Sequence, residues 1–167
     1  MKRLLLLRHA KSSHDDPVLA DHDRPLAPRG RQAARAMAGY MRDHGIQPAL
    51  VLCSSAIRAR QTLDGVAAGF TGSPELRIER ELYDLAPAGL LDRLRRLDDD
   101  VESAMLIGHN PSMERLAVDL ASGGAAASDM RRKFPTGALA ILEFSGSWSG
   151  LEPDGAELVA FVKPRDL

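Results

Sequence analysis

The segment Arg3-Leu4-Leu5-Leu6-Leu7-Arg8-His9-Ala10-Lys11-Ser12 sets the reading of the fold. Four leucines in a row show no alternation of apolar and polar residues. Such a run suits a strand covered on both faces, as in a parallel sheet. It stops at Arg8-His9, so polar chemistry begins where the strand ends. Two similar runs lie downstream, Ala49-Leu50-Val51-Leu52-Cys53 and Ala104-Met105-Leu106-Ile107. Both give way at once to polar segments, Ser54-Ser55 and Gly108-His109-Asn110-Pro111.

Between these runs the spacing predicts helices. One extends from about Pro28 to His44, with Ala33, Met37, Tyr40 and Met41 at helical intervals and Gly45 at the C-terminal cap position. A second covers about Ala56 to Phe70. A third opens at Pro87 and carries Leu90, Leu91, Leu94 and Leu97. A fourth opens at Pro111 and carries Leu116, Val118 and Leu120. Leu76–Ile78 reads as a short strand, and Ala138–Phe144 and Leu158–Val162 as the last two. His14–Pro28 reads as a loop, and Ser122–Ser128 as a flexible tract. Strands alternating with helices imply an α/β three-layer sandwich, its mostly parallel central sheet flanked by helices.

A chain of 167 residues accommodates about one domain, taken here as residues 1–167. With 44% hydrophobic and 27% charged residues it falls in the soluble globular class and outside the disordered one. Lys and Arg number 22 against 23 Asp and Glu, for a net charge of -1. That balance gives no global attraction to nucleic acid or to an anionic membrane. Cys53 is the one cysteine, which excludes an intrachain disulfide and a cysteine-based zinc cluster. The N-terminal leucine run is too short for a signal peptide, and no stretch approaches the roughly 20 apolar residues of a membrane span. A cytoplasmic location is expected.

Ligands of open α/β sheets collect at the carboxyl ends of the strands. Three segments occupy such ends: Arg8–Ser12, Ser54–Thr62 and Gly108–Pro111. They bring Arg8, Arg58, His9 and His109 to one rim. Arginine offers a planar, permanent charge with several donors, suited to phosphate oxygens. A neutral histidine can act as a nucleophile, and a second can stabilise charge on a transferring phosphoryl group. No cofactor and no metal is implied, because His14, Asp15, Asp16, His22 and Asp23 match no standard ligand spacing and read as a polar loop. Arg60 reads as helix surface and Cys53 as a small buried hydrophobe. Arg93, Arg95 and Arg96 followed by Asp98–Asp100 read as a solvated helix end. Arg131-Arg132-Lys133 reads as surface, with a docking patch for an acidic partner as the alternative.

The ordered motifs resemble those of the histidine phosphatase superfamily, which includes phosphoglycerate mutases and acid phosphatases. Arg8-His9-Ala10-Lys11-Ser12, the Asp21–Leu26 segment, Ser54–Thr62, Leu82-Tyr83, Gly108–Pro111 and Phe134–Ala138 are similar to the SixA branch, which removes phosphate from phosphohistidine in signalling proteins. The resemblance spans about Lys2 to Lys163 and implies a phosphoglycerate mutase-like fold. It implies His9 as the nucleophile that becomes phosphorylated, Arg8 and Arg58 as clamps on the phosphoryl oxygens, and His109 as a further donor to them. Ser12 is implied as an added phosphate contact. The family acid falls on Glu81, with Asp84 as second choice. Ala10 stands where the superfamily more often has glycine, which requires the backbone to avoid positive φ there. Ala27 stands where relatives often place a capping threonine.

The function so implied is a metal-independent phosphatase acting on a phosphorylated protein, with no nucleic-acid or membrane partner. A phosphatase for small phosphomonoesters and a non-catalytic phospho-binding module are the alternatives.

Overall fold

The computed structural model describes residues 1–167. Its six strands are β1 (Lys2–Arg8), β2 (Leu50–Ser54), β3 (Glu75–Glu79), β4 (Ser103–Gly108), β5 (Leu139–Phe144) and β6 (Glu157–Val162). They form one sheet in the order β3-β2-β4-β1-β5-β6. β3, β2, β4 and β1 pair in parallel, and β5 alone runs against its neighbours. The mostly parallel α/β sandwich is therefore the architecture of this chain.

Leu4 to Leu7 are each no more than 1% exposed because both faces of β1 are covered. Leu4 and Leu6 join a core with Leu52, Leu106, Leu116 and Phe134. Leu5 and Leu7 join the opposite core with Met37, Met41, Val51 and Ile107. The second core lies under α1 (Pro28–Asp43) and α2 (Ile57–Ala67). The first lies under α3 (Glu81–Asp84), α4 (Pro87–Arg95), α5 (Ser112–Leu120) and α6 (Ala125–Arg132). No helix is long and apolar enough to cross a membrane.

Three details correct the sequence reading. The helix α1 buries Ala34 and Ala38 with Met37 and Met41, while Ala33 stays half-exposed. The tract after Ser122 is not flexible coil throughout. Gly123 and Gly124 turn the chain at positive φ, and α6 follows directly, with Ala127 and Met130 buried one helical turn apart. Its alanines are strong helix formers, which outweighs the glycine signal before them. Arg93 is no solvated helix end, since it is 8% exposed and grips Glu79 through two hydrogen bonds of 2.8 Å.

The register levels the carboxyl ends of the three central strands. Arg8 lies opposite Gly108, and Cys53 opposite Ile107. His9, His109 and Ser54 therefore emerge along one edge of the sheet. Two glycines fix the loop beyond β1. A Cβ on Gly30 would lie 2.1 Å from the Lys11 carbonyl oxygen, so only glycine lets α1 press on this backbone. Gly137, at φ 76°, donates its N–H to the carbonyls of Arg8 and His9 at 3.1 and 3.0 Å.

Candidate active site

His9 follows β1 directly and is 8% exposed. Its Nδ1 lies 2.7 Å from the carbonyl oxygen of Ala10. A carbonyl can only accept, so Nδ1 carries the proton and Nε2 keeps its lone pair. Burial is the main cause that lowers the His9 pKa to about 3, with the charges of His109, Arg58 and Arg8 adding to it. The ring is neutral near pH 7. Ala10 avoids positive φ, as its side chain requires, and its N–H donates to Thr62 Oγ1 at 2.9 Å. Thr62 in turn donates to the Arg58 carbonyl at 2.7 Å, one turn earlier in α2. The spacing of Arg58 and Thr62 thus ties the guanidinium helix to the His9 loop.

His109 leaves β4 with its ring centroid 5.1 Å from that of His9. Its Nε2 lies 2.7 Å from Ser54 Oγ, which accepts from the Ala56 N–H at 3.2 Å. Ser54 has no other acceptor for its own proton, so the network assigns that proton to His109 Nε2 and the ring proton to Nδ1. Burial foremost, then the charge of Arg58, lowers the His109 pKa to about 4. Arg8 donates from Nη1 to the Phe134 carbonyl at 3.0 Å, a carbonyl shared with Asn110 Nδ2 at 3.1 Å. Arg58, 6% exposed, donates from Nη1 and Nη2 to the carbonyl and carboxylate of Asp21 at 2.7 and 2.9 Å.

Three buried nitrogens have no hydrogen-bond partner: Arg8 Nε, Arg58 Nε and His109 Nδ1. Buried donors are normally satisfied, so three together on residues that crowd His9 mark a place for an acceptor-rich guest. A tetrahedral oxyanion meets that demand.

A sequence profile of the histidine phosphatase superfamily, branch 1, matches residues 4–90. The chain belongs to the histidine phosphatase superfamily. Among relatives of this phosphatase, an uncharacterised Mycobacterium tuberculosis protein is 41% identical over 164 residues, covering 95% of this chain and all of the relative. Phosphohistidine phosphatase SixA of Escherichia coli is 27% identical over 150 residues, 89% of each chain. A solved structure from Nakamurella multipartitia, described as a proposed phosphohistidine phosphatase SixA, superposes with a TM-score of 0.86 at 30% identity, covering 98% of this chain and 96% of its own.

Within this histidine phosphatase the residues singled out by sequence divide. His9, Arg8, Arg58 and His109 come together. Ser12 is buried, but its hydroxyl oxygen accepts from Arg24 Nη1 at 2.9 Å, which ties it to the Asp21–Leu26 loop. Glu81 is not brought into the cradle. Its carboxylate faces Arg93 at 3.8 Å and Arg96 at 3.9 Å. Residues of an α-helix advance by about 100° each, so Tyr83 and Glu81 point in nearly opposite directions from α3. Tyr83 faces the site, with its ring 5.3 Å from His109 and 5.9 Å from the Arg58 guanidinium carbon. Asp84 forms no side-chain hydrogen bond or ion pair.

The carboxylate beside the site is Asp21, which received no role from sequence. It accepts from the Tyr83 hydroxyl, from Arg58, and from Arg24 at 2.9 Å. The Tyr83 hydrogen bond foremost, with those from Arg58 and Arg24, holds its pKa well below the usual carboxylate range. Asp21 thereby stays charged and fixes the Arg58 fork. His22 closes the same rim, with Nε2 2.8 Å from Ser55 Oγ and its ring edge-on to Tyr83.

The neutral histidines give a measurable pH dependence of stability. Their folded pKa values lie below the unfolded value of 6.5, so above pH 6.5 neither state protonates them. Between pH 6.5 and about 4 only the unfolded chain binds these protons, and stability falls with pH. At pH 5 the expected loss is roughly 2 kcal/mol per ring. Urea midpoints at pH 7, 6 and 5 should drop in step, and His9→Gln should remove about half of the slope. A flat profile would mean that both rings charge freely in the folded protein.

Proposed function

We propose that this protein hydrolyses phosphohistidine on a protein substrate through a phosphorylated His9, acting in the cytoplasm without a metal. The observation that carries the proposal is the neutral His9, with Nε2 free, beside three unpartnered buried N–H donors. Its likeness to the SixA proteins supports phosphohistidine over other phosphate esters and amides as the substrate. The lone cysteine is buried and needs no oxidising compartment.

The phosphoryl group sits with its oxygens toward Arg8 Nε, Arg58 Nε and His109 Nδ1. His9 Nε2 attacks phosphorus as the P–N bond of the substrate breaks on the far side. The substrate ring, protonated at its other nitrogen, departs as neutral imidazole and needs no proton from the enzyme. Phosphorylated His9 keeps its Nδ1 proton on the Ala10 carbonyl, so it too leaves as a neutral ring when water attacks phosphorus. Fixed cations stabilise the equatorial charge, the main contribution available to a phosphoryl-transfer enzyme.

A good leaving group removes the demand for Glu81 as a general acid. Glu81→Gln is expected to leave kcat/KM on phosphohistidine within about twofold of wild type. A loss near 10²-fold, the scale of a missing acid, would restore Glu81 to the mechanism. The proposal as a whole is tested by comparing turnover of a histidine-phosphorylated protein with that of sugar phosphates, in EDTA, with rapid acid-free quenching and mass mapping of the labelled residue. Phosphate on His9 and a strong preference for phosphohistidine are expected. Preference for sugar phosphates would assign the protein to small phosphomonoesters, and activity lost in EDTA would reinstate a metal.

A further inference from the structure

A groove of about 420 Å³ lies apart from the histidines, none of which lines it. It lies between the start of α1, the Pro135-Thr136 loop and the C-terminal turn Pro164–Asp166. Lys11, Arg29, Lys163 and Arg165 line it, and no acidic residue does. The floor is apolar, formed by Ala33, Ala36, Pro135 and Pro164. It adjoins the cradle through two backbone links. Lys11 is two residues beyond His9, and Pro135 follows the carbonyl that holds Arg8.

The positive charge here is only partly offset. Lys163 pairs with Asp129 at 2.9 Å and, like Arg165, lies 3.9 Å from Asp166. Lys11 and Arg29 have no ion-pair or hydrogen-bond partner for their side chains. The first turn of α1 contains no acidic residue either. Because the chain as a whole is net -1, this concentration is local and not a reflection of composition.

We infer that the groove docks an acidic segment of the phosphoprotein substrate, an inference that rests on the function proposed above. The layout of the cations decides between a peptide and a single small anion. A small phosphate site needs buried donors converging on one point. Here Lys11, Arg29 and Arg165 are exposed and spread around an open apolar floor. That matches carboxylates spaced along an extended chain, with their backbone and aliphatic parts resting on the alanines and prolines. Exposed rim charges of this kind act on encounter rate and register, and their effect fades with salt.

The test uses Arg29→Glu/Arg165→Glu, two surface changes outside the cradle. A fluorescent octaglutamate peptide should bind the wild-type protein at 50 mM salt, at least about tenfold tighter than it binds the double variant, and release at 0.5 M. Phosphohistidine peptides flanked by glutamates should be hydrolysed with about tenfold higher kcat/KM than neutral ones, through KM, and the double variant should lose that preference. Turnover of free phosphohistidine should not change. Equal octaglutamate binding by the two proteins would overturn the inference. So would tighter, equally charge-dependent binding of inorganic tripolyphosphate or of a single-stranded oligonucleotide, which would make the groove a small-polyanion or nucleic-acid site. Failure to turn over any phosphohistidine would instead sink the proposed function, while octaglutamate binding would still report on the groove.

Discussion

His9→Ala is expected to lower phosphohistidine hydrolysis by at least about 10⁴-fold and to leave no phosphoenzyme, because the bond-forming atom is gone. The remaining cradle can still bind phosphate, so affinity for inorganic phosphate should survive the change. The reasoning turns on Nε2. Its lone pair is the one ring position that no protein group claims, while the Ala10 carbonyl holds the proton on the other side. Removing the ring leaves a hole against His109, 5.1 Å away between centroids, into which free imidazole fits. Partial rescue by added imidazole would therefore identify the nucleophile rather than a packing residue. His109→Ala offers the contrast. It removes one donor of a charge-stabilising set, a loss of about 10²–10³ in rate, and it should still allow labelled phosphate to accumulate on His9. Undiminished turnover by His9→Ala would end the covalent mechanism.

Legibility in the sequence followed distance along the chain. The buried strands were visible because Leu4–Leu7, Leu50–Cys53 and Ala104–Ile107 are unbroken apolar runs, and the residues just beyond them inherit their position from strand register alone. Hence Arg8, His9 and His109 could be placed at one edge, and Arg58 by the short turn into α2. Groups whose role depends on a side-chain partner far away were not visible. Asp21 meets Arg58 across 37 residues and Tyr83 across 62. The segment around it was recognisable as a motif, yet nothing in its composition said which of its residues reached the site. Glu81 failed for a related reason. Adjacency to Leu82-Tyr83 marked the right element, but with Leu82 buried and Tyr83 toward His109, the helix turn sends Glu81 to Arg93 and Arg96. Arg93 was misread because its counter-charge, Glu79, sits at the end of β3, outside the charge run that surrounds Arg93 in sequence.

Arg58→Ala is expected to reduce kcat/KM by about 10³–10⁴-fold, about tenfold more than the roughly 10²–10³ that the loss of one phosphate donor would explain. Arg58 serves two anions. It gives both terminal nitrogens to Asp21 and leaves Nε for the guest. Taking it away removes the donor and also leaves the Asp21 carboxylate charged beside an incoming phosphoryl dianion. Tyr83 and Arg24 still hold Asp21 in its ionised form, so the repulsion persists near pH 7. The second variant Arg58→Ala/Asp21→Asn should therefore recover about tenfold over Arg58→Ala, a gain of about 1.4 kcal/mol. Asp21→Asn alone should lose activity, because it loosens the guanidinium fork. That reversal of sign between backgrounds is the signature of coupled neighbours in a double-mutant cycle. Arg58→Lys tests the same geometry from the other side. A single ammonium keeps the charge but cannot donate to the Asp21 carbonyl, its carboxylate and a phosphoryl oxygen in one plane, so it should recover little. Additive effects of the Arg58 and Asp21 changes would show that the carboxylate does not face the phosphoryl site, and that its hydrogen bonds to Arg58 and Tyr83 only fasten the loop.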